Sequence, residues 1–148
     1  MSYTLLDELT ASQQVVAAML RITAEDGFAR VGAWSVRDIA AHLSSSEREC
    51  FEPRIRAIAA GENPHFEFFT NDERDFGGVQ LEDALDEWGA SRTRLIDFVR
   101  GLTEDERLRI GFHQRYGQIT VYRYLQIALE HDQDHLLGLE KLAGGHER

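Results

Sequence analysis

Cysteine occurs once in this 148-residue sequence, proline twice and lysine once. The single cysteine, Cys50, excludes an internal disulfide and makes a reducing compartment the simplest setting. With only Pro53 and Pro64 to interrupt helices, and little β-branched alternation, the chain reads as helical. No apolar run approaches the roughly 20 residues of a membrane helix. The N-terminus, Met1-Ser2-Tyr3-Thr4, shows no basic-then-apolar leader. A cytoplasmic protein with no membrane partner is therefore expected. Basic residues are outnumbered 16 to 26, for a net charge of −10. Nucleic-acid backbones and anionic membranes need a basic face, so no nucleic-acid partner is expected either.

Four amphipathic segments are present. The first runs from about Tyr3 to Arg21, with Leu6, Leu9, Val16 and Leu20 on one stripe and Gln13 interrupting it. The second opens at Ser35, where Ser35-Val36-Arg37-Asp38 has the form of a capping box. Its buried face reads Val36, Ile39 and Leu43, with His42 beside them and Ser46 and Cys50 beyond. Pro53 is expected to kink or end this helix, and Gly61 to stop a continuation to Ala60. From Gly61 to Gln80 the period is lost, and Phe66, Phe68, Phe69 and Phe76 make the stretch aromatic. A connection that long is usually functional or crosses the molecule. The third helix spans about Leu81 to Gly101, with Arg92 standing at a gap in its apolar stripe. A capping box at Thr103–Glu106 starts a short turn, Arg109 to Ile119 reads as a loop, and the fourth helix begins near Thr120. Gly144-Gly145 supplies its stop. Four single-striped helices in one domain over residues 1–148 give an all-α four-helix bundle.

Chemistry concentrates in Glu130-His131-Asp132-Gln133-Asp134-His135. Histidines at i and i+4 are stacked neighbours on a helix and can share an ion. A pair alone is more often surface or satisfied core residues than a metal site, but His42 on an apolar face of another helix adds a third nitrogen. Three such ligands, His42, His131 and His135, leave a position open, as catalytic divalent-metal sites do. A zincin motif is excluded, because Asp132 stands where that motif carries its glutamate base. Cys50 lies eight residues beyond His42, about 12 Å along a helix, and reads as a small buried hydrophobe. Arg92 either snorkels to water or turns inward to hold a substrate carboxylate, with Trp88 one turn before it as a second candidate substrate contact. Glu47 and Asp38 are candidates to orient a metal ligand from behind, although a solvated face explains them equally well. His65, His113 and His146 fall in loops or the tail and receive no role.

Trp34-Ser35-Val36-Arg37-Asp38-Ile39-Ala40-Ala41-His42-Leu43 resembles the opening of the second helix in the DinB-like superfamily. Glu130-His131-Asp132-Gln133-Asp134-His135-Leu136 resembles its fourth-helix motif, and Trp88-Gly89-Ala90-Ser91-Arg92 the middle of its third. The resemblance implies a bundle in up-down-down-up order, with the long crossover between helices 2 and 3. It implies that His42, His131 and His135 are the metal ligands, that zinc, nickel or a similar divalent ion is the cofactor, and that the protein forms a homodimer. It further implies thiol chemistry: transfer or isomerisation in which bacillithiol, mycothiol or glutathione is activated for attack on a small-molecule electrophile. The rival expectations are a non-catalytic stress-response module that sequesters a metal or small molecule, its pocket lined by residues 61–80, and an interaction protein with vestigial histidines.

Overall fold

The structure, a computed structural model, describes residues 3–145. Four long helical runs dominate those residues: α1 (Tyr3–Thr23), then α2 (Val36–Ser46) continued through a π-turn (Glu47–Phe51) into α3 (Glu52–Ala59), then α4 (Leu81–Arg100) and α6 (Val121–Gly145). α5 (Glu104–Arg107) is a single turn. α1 packs against both α6 and α4, and α2 lies along α4.

Both capping boxes form. Ser35 Oγ accepts the Asp38 N–H while the Asp38 carboxylate accepts the Ser35 N–H, and Thr103 and Glu106 do the same for α5. Each satisfies two otherwise orphaned backbone donors and fixes where its helix begins. At the start of α6, Thr120 Oγ1 accepts the Arg123 N–H.

Pro53 does not end the second run. The π-turn precedes it, and the Glu52 N–H reaches back five residues to the Glu47 carbonyl. Widening the turn by one residue makes room for a ring that would otherwise strike the preceding turn. The extra residue also rotates the face, so that Glu47, Cys50 and Phe51 are all buried.

A strict all-α fold is corrected by two small sheets. β1 (Arg30–Val31) and β2 (Trp34–Ser35) form a short antiparallel pair ahead of α2. β4 (Ile110–His113) and β5 (Gly117–Thr120) form a hairpin in the stretch that reads as a loop, and β3 (His65–Phe66) pairs parallel to β4. The hairpin pairs His113 with Gly117 around Gln114-Arg115-Tyr116, and Gly117 has φ +72°. This is the three-residue connection that needs a residue in the left-handed region. Its alternation is hard to see in sequence because the inward residues of β4 are Gly111 and His113 rather than apolar ones.

The interior has two apolar halves. One gathers Leu6, Leu9, Ile55, Val99 and Leu125; the other gathers Val16, Leu20, Ile39, Trp88 and Leu139. Between them, in sequence position along every long helix, lie buried polar residues: Gln13, His42, Ser46, Glu47, Ser91, Arg92 and Asp132. The candidate site sits in this polar layer.

Candidate metal centre

The register that Ser35 sets for α2 brings His42 to face α6, where helical spacing stacks His131 and His135. The three Nε2 atoms converge: His42 to His131 is 3.1 Å and His135 to His131 is 3.2 Å. Around a divalent ion with nitrogen bonds of about 2.0–2.1 Å, neighbouring nitrogens stand roughly 3.0–3.4 Å apart. The spacing therefore fits an ion, and among the described residues this trio is the group of histidine, cysteine or acidic side chains able to hold one.

The tautomer of His42 is set from behind. Asn71 Nδ2 donates to the His42 carbonyl and to Ser46 Oγ, both at 3.4 Å, which turns Asn71 Oδ1 toward the ring. His42 Nδ1–H donates to that oxygen at 2.6 Å, leaving the Nε2 lone pair aimed at the other two histidines. Residue 71 lies in the long aperiodic connection, where no pattern in the sequence marks it. That connection also brings Phe68, Phe69, Thr70 and Asp72 to the same cavity, so it is part of the site.

All three rings are held neutral. Burial lowers the pKa of His42, against a smaller opposing pull from Asn71 and Asp72. Burial, then His42 and Arg92, take His131 down to about 3. Burial, then His131 and His42, do the same to His135, to about 3. Unfolded histidines titrate near 6.5, so below that pH the unfolded chain binds protons that the folded chain refuses. Stability contributed by these rings is thus intact above pH 6.5 and lost as pH falls toward 3. Chelator-treated protein is expected to lose up to about 1.4 kcal/mol per pH unit for each of His131 and His135 between pH 6.5 and 5, with His42 adding in the same direction. Urea unfolding at the two pH values measures it.

Behind the trio lies a second buried cluster. Arg92 Nε and Nη2 donate to the Glu47 carboxylate at 2.8 and 3.0 Å. Nη1 and Nη2 donate to Asp132 at 2.8 and 3.1 Å, and Nη1 also donates to the Leu9 carbonyl at 2.8 Å. Ser12 Oγ donates to Asp132 at 2.6 Å. Burial opposes the guanidinium's charge, but Glu47 and Asp132 outweigh it and hold its pKa above the ordinary value. The cluster acts on the trio in opposite senses, Arg92 disfavouring positive charge at His131 and Asp132 favouring it at His135.

These contacts revise four sequence expectations. All five N–H groups of Arg92 are committed, so it has none for a substrate carboxylate. Trp88 is fully buried in the second apolar half and does not line the cavity. Glu47 braces Arg92 instead of a metal ligand. Asp38 is spent on the capping box.

The open side of the trio faces a cavity of about 480 Å³, lined by Trp34, Phe51, Phe68, Phe69 and Tyr124 among others. Phe51 is 5.7 Å from His131 and 6.0 Å from Tyr124, ring centre to ring centre. Cys50 also lines it, as a buried thiol 3.6 Å from Tyr124 Oη, and burial pushes its pKa up. His113 is buried at the cavity wall, contrary to its reading as a loop residue. His65 is exposed and stacks on Phe112. His146 lies outside the described residues.

The sequence model of the DinB superfamily matches residues 4–138. Among solved structures, YfiT from Bacillus subtilis, described as a probable metal-dependent hydrolase with an unusual four-helix bundle topology, aligns with a TM-score of 0.77. The sequences are 20% identical, over 99% of this chain and 90% of that one, a likeness that shows the shared fold. No curated protein matches the sequence.

Proposed function

The chain belongs to the DinB superfamily, and on that premise we propose that it is a metal-dependent enzyme in which His42, His131 and His135 hold a divalent ion, zinc or nickel, at the floor of a small-molecule cavity. The observation that carries this is the convergence of three Nε2 atoms with the His42 tautomer fixed for ligation by Asn71. A divalent ion there supplies Lewis acidity, lowering the pKa of a water or thiol that reaches its open side. The chain's own residues do the rest. Asn71 fixes His42, and aromatic side chains line the cavity beside the ligands. A cavity of about 480 Å³ is within the range that encloses small substrates.

We read the reaction as thiol transfer, from bacillithiol, mycothiol or glutathione to an electrophile. Asp132 supports this over hydrolysis. It follows His131, where a hydrolase of the zincin type carries its base, yet it is buried against Arg92 and is absent from the cavity wall. Hydrolysis is the second reading, favoured by the description of YfiT and by Asp134, which does line the cavity. We also read the helix directions as up-down-down-up. Supporting this, α2–α3 and α4 are tied in rising order by Glu47–Arg92 and Glu52–Arg94, while α1 and α4 are tied in falling order by Leu9–Arg92 and Asp7–Arg100.

Zinc- or nickel-loaded protein, given glutathione and 1-chloro-2,4-dinitrobenzene, is expected to form the conjugate above the uncatalysed rate. The His42→Ala/His131→Ala variant is expected to add nothing. Cleavage of p-nitrophenyl acetate without conjugation selects hydrolysis, and binding of the electrophile without turnover of either selects the non-catalytic module.

A further inference from the structure

The cavity has two electrically different ends. At the histidine trio, Asp72 and Asp132 act on His135 and Asp134 lines the wall, while Glu130, also on the lining, is paired with Arg123 beside the hairpin's Tyr116. At the hairpin, Arg54 and Arg115 act on His113. Arg54 is engaged by the Glu67 carbonyl and Tyr124 Oη. Arg115 lies face-on over Phe68, 3.7 Å from the ring centre, and has no carboxylate partner among the described residues. Stacking occupies the guanidinium's face and leaves its N–H edges for hydrogen bonds.

His113 is 6% exposed, and its ring is held in one tautomer. Nδ1 accepts the backbone N–H of Arg115 at 3.0 Å and of Tyr116 at 3.4 Å. The proton of the neutral ring therefore sits on Nε2, which has no hydrogen-bond partner among the described residues. The Nε2 atom is not sealed off: it opens on the cavity, where an acceptor from a ligand can reach it in place of water. Between this end and the trio runs an aromatic floor: His113 to Tyr124 is 6.1 Å, Tyr124 to Phe51 is 6.0 Å and Phe51 to His131 is 5.7 Å between ring centres.

We propose that the hairpin end of the cavity is a carboxylate-binding subsite, in which the His113 Nε2–H and the Arg115 guanidinium receive the anionic end of a substrate whose apolar middle lies on Phe51 and Tyr124. This rests on the reading of the cavity as the substrate site and narrows it to one class: small organic carboxylates with a planar or apolar segment. The reacting end then points toward the trio. His113 and Arg115 bind and orient, and take no part in bond making.

The test is calorimetric binding of phenylacetate and of its neutral counterpart phenylacetamide, to metal-loaded and to chelator-treated protein. Phenylacetate is expected to bind about tenfold more tightly than the amide in both forms. Persistence without metal separates this subsite from a carboxylate that merely ligates the ion. Arg115→Gln and His113→Asn are each expected to remove most of the preference at unchanged metal content; in the second, the introduced amide oxygen can still accept from the turn. Melting curves identify a variant that fails to fold, and Arg115→Gln alone then decides. Equal affinity for acid and amide in the parent, a preference that vanishes with the metal, or a preference that survives Arg115→Gln overturns the proposal. None of these outcomes touches the metal assignment, which is read from metal content.

Discussion

Replacing Arg92 by methionine is expected to cost about 3–5 kcal/mol of folding stability, enough to unfold a marginal protein. Glu47 and Asp132 are each 1% exposed, so removing the guanidinium leaves two carboxylates facing one another away from water. The Leu9 carbonyl, which also receives an Arg92 N–H, loses that partner as well. The loss reflects stranded charges more than the worth of the ion pairs. The control that separates the two is the triple replacement of Arg92, Glu47 and Asp132 by apolar residues of similar volume. Charge networks exchanged whole for apolar packing are often neutral or stabilising, so the triple variant is expected to recover much of the lost stability. Urea unfolding of the parent, Arg92→Met and the triple variant measures both. A single variant within about 1 kcal/mol of the parent means that the cluster is solvated in solution.

His131→Ala is expected to reduce divalent-ion affinity far more than Asn71→Ala does. His131 is the central nitrogen of the trio, the one within 3.1–3.2 Å of both others, so its removal takes away a ligand and leaves the remaining pair without their shared neighbour. Asn71 touches only the back of His42. Loss of such an outer partner typically costs 10–100-fold in affinity, here expected at about that level. His131→Ala is expected to exceed it clearly. Competition with a chromophoric zinc chelator ranks parent, Asn71→Ala and His131→Ala. Equal losses for the two variants mean that the trio acts only through the fold.

The parts of this arrangement visible in sequence are those governed by helical period and caps. Ser35 and Asp38 mark the start of α2 and so set the phase of His42, while His131 and His135 declare their shared face by spacing alone. The gap at Arg92 in the stripe of α4 is also visible. Its meaning is not, because Glu47 and Asp132 come from helices 45 and 40 positions away, and no local rule pairs them. At Pro53 the sequence leaves a kink, an end or a continuation to Ala60 open, and the run continues because a π-turn absorbs a ring that a regular helix cannot. The hairpin is hidden because its inward residues are glycine and histidine, and Asn71 because it holds His42 from an aperiodic stretch. Function-bearing groups were thus legible where they lie on long helices and obscure where loops deliver them.

The most direct measurement is metal content. Parent protein dialysed against zinc or nickel and freed of loose ions is expected to retain about one divalent ion per chain, by inductively coupled plasma mass spectrometry, at the trio. Folded His42→Ala/His131→Ala is expected to retain almost none. Equal metal in parent and variant, or none in either, contradicts the assignment of His42, His131 and His135 as a metal centre.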